Sequence, residues 1–315
     1  MADDRAVTRE IWHAPAKINL WLEITGRRPD GYHTVDTCYQ AIDLADTVIL
    51  EPSQRTGVSC AVEGPFARGV PEGAGNLAAR AALLLAERTG HEPRVAIRLI
   101  KEIPAGAGLG GGSSDAAAVL VALARRFAVP DPGKTLVDLA AELGADVPFF
   151  LQGGTQRATG IGDRLKPVDP PAERWGILVW PGVAVSTAWA YGAYATAAEP
   201  FTDGAGASSG GGPASVAGGL NWRRRGNVFE ALVVDRHPRI REAMDVLRTG
   251  ESGLVRLAGS GGAVFSLYPS EDERDARLPE VREATRLWTS ARCWPFGFLD
   301  RGVVFARRSE QTLRN

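Results

Sequence analysis

The chain has 315 residues, enough to bury a large core and to divide into two domains. Lys and Arg number 36 against 37 Asp and Glu, and a formal charge of −1 leaves no basic face for nucleic acid or anionic lipid, so small molecules are the expected partners. Cys38, Cys60 and Cys293 lack CxxC spacing and the four histidines lack HExxH spacing, which excludes a disulfide framework and a zinc site of those patterns.

The N-terminus carries acids early and no long apolar run, so neither a signal peptide nor a membrane helix is expected, and the expected location is cytoplasmic. KINLWLEI (17–24) alternates as a strand should, TGRRPDGYH (25–33) reads as a loop and TVILE (47–51) as a further strand. NLAARAALLLAER (76–88) has helical periodicity, with Asn76 as its cap and Gly90 as its stop. VAIRLIKEI (95–103) is a strand, PAGAGLGGGSSDAAA (104–118) a glycine loop, and AAAVLVALARRF (116–127) a helix. LVDLAAELGADVPFFL (136–151) predicts a helix ending at Gly144 and then a buried apolar corner.

Prolines in KPVDPPAERW (166–175) suggest a boundary between domains at 1–168 and 169–315. The second half opens on a buried strand, GILVWPG (176–182), and carries a helix at RIREAMDVLR (239–248). DGAGASSGGGPASVAGG (203–219) reads as a flexible surface insertion. Strands and helices mixed without regular alternation give the fold class as α+β.

The glycine loop joins a strand to a helix, and such a junction is built to hold a phosphate. Glycines at 106, 108, 110, 111 and 112 let the backbone approach a ligand, while Ser113, Ser114 and Asp115 suit a helix start whose free N–H groups and dipole favour an anion. A plain mobile turn would not need so many glycines. A dinucleotide fingerprint, formally met by Gly106, Gly108 and Gly111, needs an acid at the end of a following strand, whereas Asp131 sits in the turn VPDPG. A Walker loop needs a Lys after the last glycine, and there is none.

A phosphate grip becomes an enzyme only with a cation for developing charge and a group to orient an acceptor. Lys17 in APAKINL and Asp146 in GADVPFF are the candidates. A lysine at a strand start is ordinarily just solvated, but a carboxylate among Val147, Pro148, Phe149 and Phe150 is costly unless it caps something or meets a cation. DGYH (30–33) offers Tyr32 and His33, able to stack on a base and bond its edge, or simply a turn with an exposed aromatic.

These segments together resemble the small-metabolite kinases of the galactokinase, homoserine kinase, mevalonate kinase and phosphomevalonate kinase superfamily. PAGAGLGGGSSDAA is similar to its phosphate loop and RLAGSGGAVFSL (256–267) to its other glycine-rich motif. PAKINLWLEITGRRPDGYHTVDT (15–37) and LGADVPFF (143–150) are similar to the branch acting on 4-diphosphocytidyl-2-C-methyl-D-erythritol. The resemblance implies a two-domain kinase with its active site in the interdomain cleft, using ATP with Mg2+ to phosphorylate the 2-hydroxyl of that alcohol in non-mevalonate isoprenoid synthesis.

Carried over residue by residue, it implies that Asp146 is the catalytic carboxylate and Lys17 its cationic partner. Asn19, Tyr32, His33, Thr187 and Tyr191 would bind the substrate. Pro104, Ala105, Gly106, Ala107, Gly108, Leu109, Gly110, Gly111, Gly112, Ser113 and Ser114 would hold ATP phosphates, with Asn76 and Lys101 near the adenosine end. The metal ligands are not assigned, and Ser113 or Ser114 is the hydroxyl expected nearest the metal. Position 228 is Val where the family often has Asp. The expected partners are the cytidyl substrate and ATP, without nucleic acid or membrane, on a monomer or weak homodimer.

Overall fold

The structure, a computed structural model, describes residues 9–197, 222–250 and 253–309; the insertion expected at 203–219 lies outside them. Two long antiparallel strands open the fold: β1 (Arg9–Arg27) and β2 (His33–Pro52). Each is far longer than the alternation at 17–24 and 47–51 predicts. The signal is hidden because β2 buries Asp36, Thr37, Gln40 and Asp46, polar residues that break the apolar pattern.

β3 (Gly57–Glu63) runs parallel to β4 (Arg94–Ile100), and α1 (Leu77–Thr89) connects them. The Asn76 side chain accepts from the Ala78 N–H and Gly90 adopts the left-handed stop, so the caps lie where the sequence puts them. β4 ends at Ile100, short of the expected 103. α2 (Gly111–Arg126) begins inside the glycine run rather than at Ala116, with Gly110 as N-cap. Ser113, Ser114 and Asp115 are therefore in its first turns and do not cap it.

The apolar stretch after Leu136 is two helices, α3 (Pro132–Leu143) and α4 (Val147–Gln152), broken at Gly144. Phe149 and Phe150 of α4 are fully buried, each contributing about 1.5–3 kcal/mol. β5 (Thr155–Thr159) and β6 (Arg164–Pro167) form a hairpin on the side of β2.

The second half starts with β7 (Trp175–Trp180) and α5 (Thr187–Ala197). It continues through α6 (Glu230–Arg236), α7 (Pro238–Arg248), β8 (Leu254–Leu257), β9 (Val264–Tyr268), α8 (Glu271–Thr285) and β10 (Arg292–Gly297). The last strand, β11 (Val304–Ser309), returns to the first sheet and pairs with β1.

The first sheet has the order β11-β1-β2-β4-β3, with β5 on β2 and β6 on β5; the second has the order β10-β7-β9-β8. Helices α1 to α4 cover one face of the first sheet around Val48, Leu50, Leu85, Leu120 and Phe149. Its other face packs on the second sheet through Ile18, Leu20, Ile42, Leu178 and Phe265. A third apolar cluster, with Ile240, Met244, Val264 and Val281, joins the second sheet to its own helices.

β1 changes phase at a register shift between Pro15 and Ala16, a site where a residue without an N–H is tolerated. Trp12 and Ala14 belong to the helix-side core, while Ala16, Ile18 and Leu20 face the second sheet. Lys17 and Asn19 are thereby turned into the cleft.

Candidate functional site

A cavity of about 990 Å³ opens between the two halves of the molecule, at the upper end of the size of small-molecule sites. The glycine loop, Lys17 and Asp146, and His33, Thr187 and Tyr191 all line it.

The loop reaches this position by interlocking with the second glycine-rich motif. A Cβ on Gly108 would collide with the Ala258 carbonyl oxygen, and one on Gly262 would sit 2.5 Å from the Gly106 oxygen. The Ala263 N–H donates to Ala107 O at 3.0 Å, and the Lys17 N–H to Leu109 O at 2.9 Å. Thus Gly108 and Gly262 are needed for two backbones to touch each other, a reason the sequence does not reveal. Gly112 is different, since a Cβ there would meet nothing within 4 Å.

The Ser114 N–H closes the first helical bond onto Gly110 O, which leaves the Gly111, Gly112 and Ser113 amides without a helical acceptor at the start of α2, and all three residues line the cavity. Pro104 to Ser113 line the cavity throughout. Ser114 lies behind it, fully buried, and its hydroxyl has no partner among the described residues.

Lys17 is 5 % exposed and donates to Asn19 Oδ1 at 2.7 Å; Asn19 in turn donates to Thr37 Oγ1 at 2.8 Å. Its Nζ is 4.0 Å from Asp146 Oδ2 and 5.3 Å from the centre of the Tyr39 ring. Burial pushes the Lys17 ammonium below its ordinary pKa and Asp146 opposes that, so an arriving anion would stabilise its charge. Asp146 sits just before α4, its side chain about one-third exposed, and accepts from the Tyr39 hydroxyl at 3.1 Å.

The His33 ring lies 5.4 Å from Tyr191 and 6.1 Å from Tyr194, and Tyr191 stands edge-on to Phe229 at 4.8 Å. Burial, then Arg27, lowers the His33 pKa, which favours the neutral imidazole. Tyr32 is 64 % exposed at the rim, on a turn held by its N–H to Asp30 Oδ1. Thr187 shares a 2.9 Å hydrogen bond with Ser260 of the second glycine motif.

Asn76 and Lys101 both line the cavity but are committed to the protein. Asn76 caps α1, as above. Lys101 is bound to Asp46 and, at 2.5 Å, to Asp115, all three nearly inaccessible. Asp46 Oδ1 also accepts from the Glu102 and Ile103 N–H groups. The trio ties both ends of the glycine loop to β2. Burial is the largest influence on Asp115 and, with Asp46 beside it, pushes its carboxyl up to about 7 against the pull of Lys101.

Tyr39 and Ser260 line the cavity and Asp46 and Asn227 brace its walls, four residues that sequence reasoning missed; Asp115 was read as part of a helix start, not as a partner of Lys101. Asn227 donates to the Leu257 and Gly259 carbonyls and accepts from the Phe229 N–H, bracing the second glycine motif. Val228, the departure from the family pattern, joins the second half's apolar core and donates its N–H to Leu22 O.

Residues 76–154 match the model of the GHMP kinases N terminal domain, and residues 215–286 that of GHMP kinases C terminal. The chain is 38 % identical over 283 residues to the 4-diphosphocytidyl-2-C-methyl-D-erythritol kinase of Citrifermentans bemidjiense, covering 88 % of this chain and 96 % of that protein. It is 38 % identical to the enzyme of the same name from Bacillus subtilis, over 84 % of this chain and 90 % of that one.

A crystal structure of 4-(cytidine 5'-diphospho)-2C-methyl-D-erythritol kinase superposes with a TM-score of 0.68 at 34 % identity, covering 91 % of this chain and 99 % of that one. Homoserine kinase from Cytophaga hutchinsonii, at 18 % identity and a TM-score of 0.68 over 95 % of this chain and 97 % of that one, shares the fold. The two mixed α/β halves are those of the GHMP kinase fold, and the chain belongs to the 4-diphosphocytidyl-2-C-methyl-D-erythritol kinase family.

Proposed function

We propose that this chain transfers the γ-phosphoryl group of ATP to the 2-hydroxyl of 4-diphosphocytidyl-2-C-methyl-D-erythritol, giving the 2-phosphate and ADP in non-mevalonate isoprenoid synthesis. One observation carries the proposal: Lys17 and Asp146 meet in a single cavity with a phosphate-type loop on one side and an aromatic cluster able to hold a base on the other. Residues 1–168 supply the loop and the Lys17–Asp146 pair, and residues 169–315 complete the cleft. Since every group named comes from one chain, a monomer or weak homodimer suffices.

The triphosphate lies along the loop, its oxygens accepting from the Gly111, Gly112 and Ser113 amides at the start of α2. His33 and Tyr191 hold the cytosine, with Tyr32 and Thr187 at its edges. Asp146 accepts the proton of the 2-hydroxyl as that oxygen bonds to the γ-phosphorus and the bond from phosphorus to the ADP oxygen breaks. Lys17, held by Asn19, offsets charge on the transferring group, and no phosphoenzyme forms.

Mg2+ arriving with ATP would reduce the repulsion among phosphate oxygens. The site suits it: Ser113 and Asp146 offer oxygens to the cavity, and the described residues contain no group of three or more His, Cys, Asp or Glu that would form a protein cage.

A coupled ADP-release assay with the cytidyl alcohol tests the proposal, with homoserine as the competing acceptor. Turnover on homoserine alone overturns the acceptor. A folded Asp146→Ala protein with ordinary turnover overturns the role of the carboxylate.

A further inference from the structure

Tyr39 sits on β2 between Asn19 of β1 and Gln156 of β5, so its backbone is paired on both sides. It is 5 % exposed, and its ring packs against Phe149 at 5.2 Å. Three features converge on this side chain. The hydroxyl donates to Asp146 Oδ1, the Lys17 ammonium lies over the ring, and the hydroxyl is covered by Gly162 of the β5–β6 turn. A Cβ on Gly162, where φ is +103°, would stand 2.6 Å from the Tyr39 oxygen. The turn is itself set by Asp163, whose Oδ1 accepts from the Ile161 N–H.

We infer that Tyr39 is a positioning residue of the phosphoryl transfer, its hydroxyl fixing one oxygen of Asp146 so that the other faces Lys17 and the acceptor, with Gly162 acting as the stop that keeps the hydroxyl in place. An unconstrained aspartate would rotate about its two side-chain torsions and spend part of its time turned from the acceptor. A hydrogen bond to one oxygen removes that freedom without using the reactive one. The inference rests on the proposed role of Asp146.

Steady-state kinetics of Tyr39→Phe, Gly162→Ala and the double variant test it. Phe keeps the ring over which Lys17 lies and removes only the donor. The expected result for Tyr39→Phe is a fall in kcat of about tenfold or more, as for loss of one hydrogen bond to a charged group, with both KM values within about twofold. Gly162→Ala is expected to lower kcat where the hydroxyl is present and to add little in the Phe background. Melting temperatures identify variants that merely unfold.

An unchanged kcat in a folded Tyr39→Phe protein overturns the inference, as does an equal effect of Gly162→Ala in both backgrounds. The ratios are taken on whichever alcohol the wild-type chain phosphorylates. Absence of turnover on the cytidyl alcohol therefore counts against the proposed acceptor, and the variant ratios count for or against Tyr39.

Discussion

Replacing Lys101 by Met separates structural from ligand-binding duty at the glycine loop. The ammonium is shared by Asp46 and Asp115, and the side chains of all three are 0–4 % exposed. Removing it at pH 8 leaves two buried carboxylates without a cation, a loss of about 3–5 kcal/mol. The pH dependence follows from the sign of the Asp115 shift. Its folded carboxyl lies above the unfolded value, so its share of stability is full below the unfolded carboxylate range and is lost as pH rises through about 7. Without Lys101 that upward shift grows, and each pH unit of descent returns about 1.4 kcal/mol per proton taken up.

Wild-type Asp115 takes up its proton over the same range, so urea unfolding is expected to show a loss near 3–5 kcal/mol at pH 8 that shrinks by about 1–1.5 kcal/mol at pH 6. Adding Asp115→Asn, which removes one of the two stranded charges, should restore about half of the loss at pH 8. A loss below about 1 kcal/mol at pH 8, or one that is the same at both pH values, would refute the idea that this trio clamps the loop.

Three other outcomes are expected. Gly108→Ala, at φ +77° and against the Ala258 carbonyl, should cost about 3 kcal/mol or more, whereas Gly112→Ala should leave unfolding within about 1 kcal/mol of wild type while raising the KM for ATP; unchanged ATP affinity in the second would remove Gly112 from the phosphate site. Asp36 is buried, which raises its carboxyl pKa, but hydrogen bonds from Arg157 at 2.7 and 2.9 Å and from Arg225 at 2.7 Å outweigh this and lower it. Its stabilisation is present above the unfolded carboxylate range and lost as pH falls, so Asp36→Asn should cost about 1–3 kcal/mol near pH 7 and progressively less toward pH 3 in urea titrations. Asn76→Ala should cost about 1 kcal/mol through the lost cap, and Asn76→Ser should recover it; an ATP KM that rises in both variants would assign Asn76 a nucleotide contact as well.

Local patterns were legible where one short-range rule decides the outcome. The helix after Asn76 has a cap, a period and a left-handed glycine stop, all within a few residues of one another. The strand before the glycine loop, the buried strand at 176–182 and the helix at 239–248 were equally readable. β2 was not, because its buried Asp36 and Asp46 are satisfied by Arg157, Arg225 and Lys101, far away in the chain. The start of α2 was misplaced for the related reason that Gly111 and Gly112 are poor helix formers, and the close approach of Gly111 to Ile103 and Asp46 is a contact that its sequence neighbours do not show.

By itself the sequence displayed the residue types at hand: a glycine-rich loop, a lysine, a carboxylate and an aromatic turn, all written in contiguous stretches whose residue types limit what they can do. Tertiary structure alone decided which of these groups meet. The phase change at Pro15 turns Lys17 into the cleft, the two glycine motifs interlock through Gly108 and Gly262, and Tyr39 comes to hold Asp146 across 107 positions of chain. Those contacts are long-range packing, and a position's own neighbours in sequence carry no record of them. The glycines of the loop show the division plainly: their number is visible in the sequence, but that Gly108 serves a protein backbone and Gly112 faces open space is a property of the folded chain.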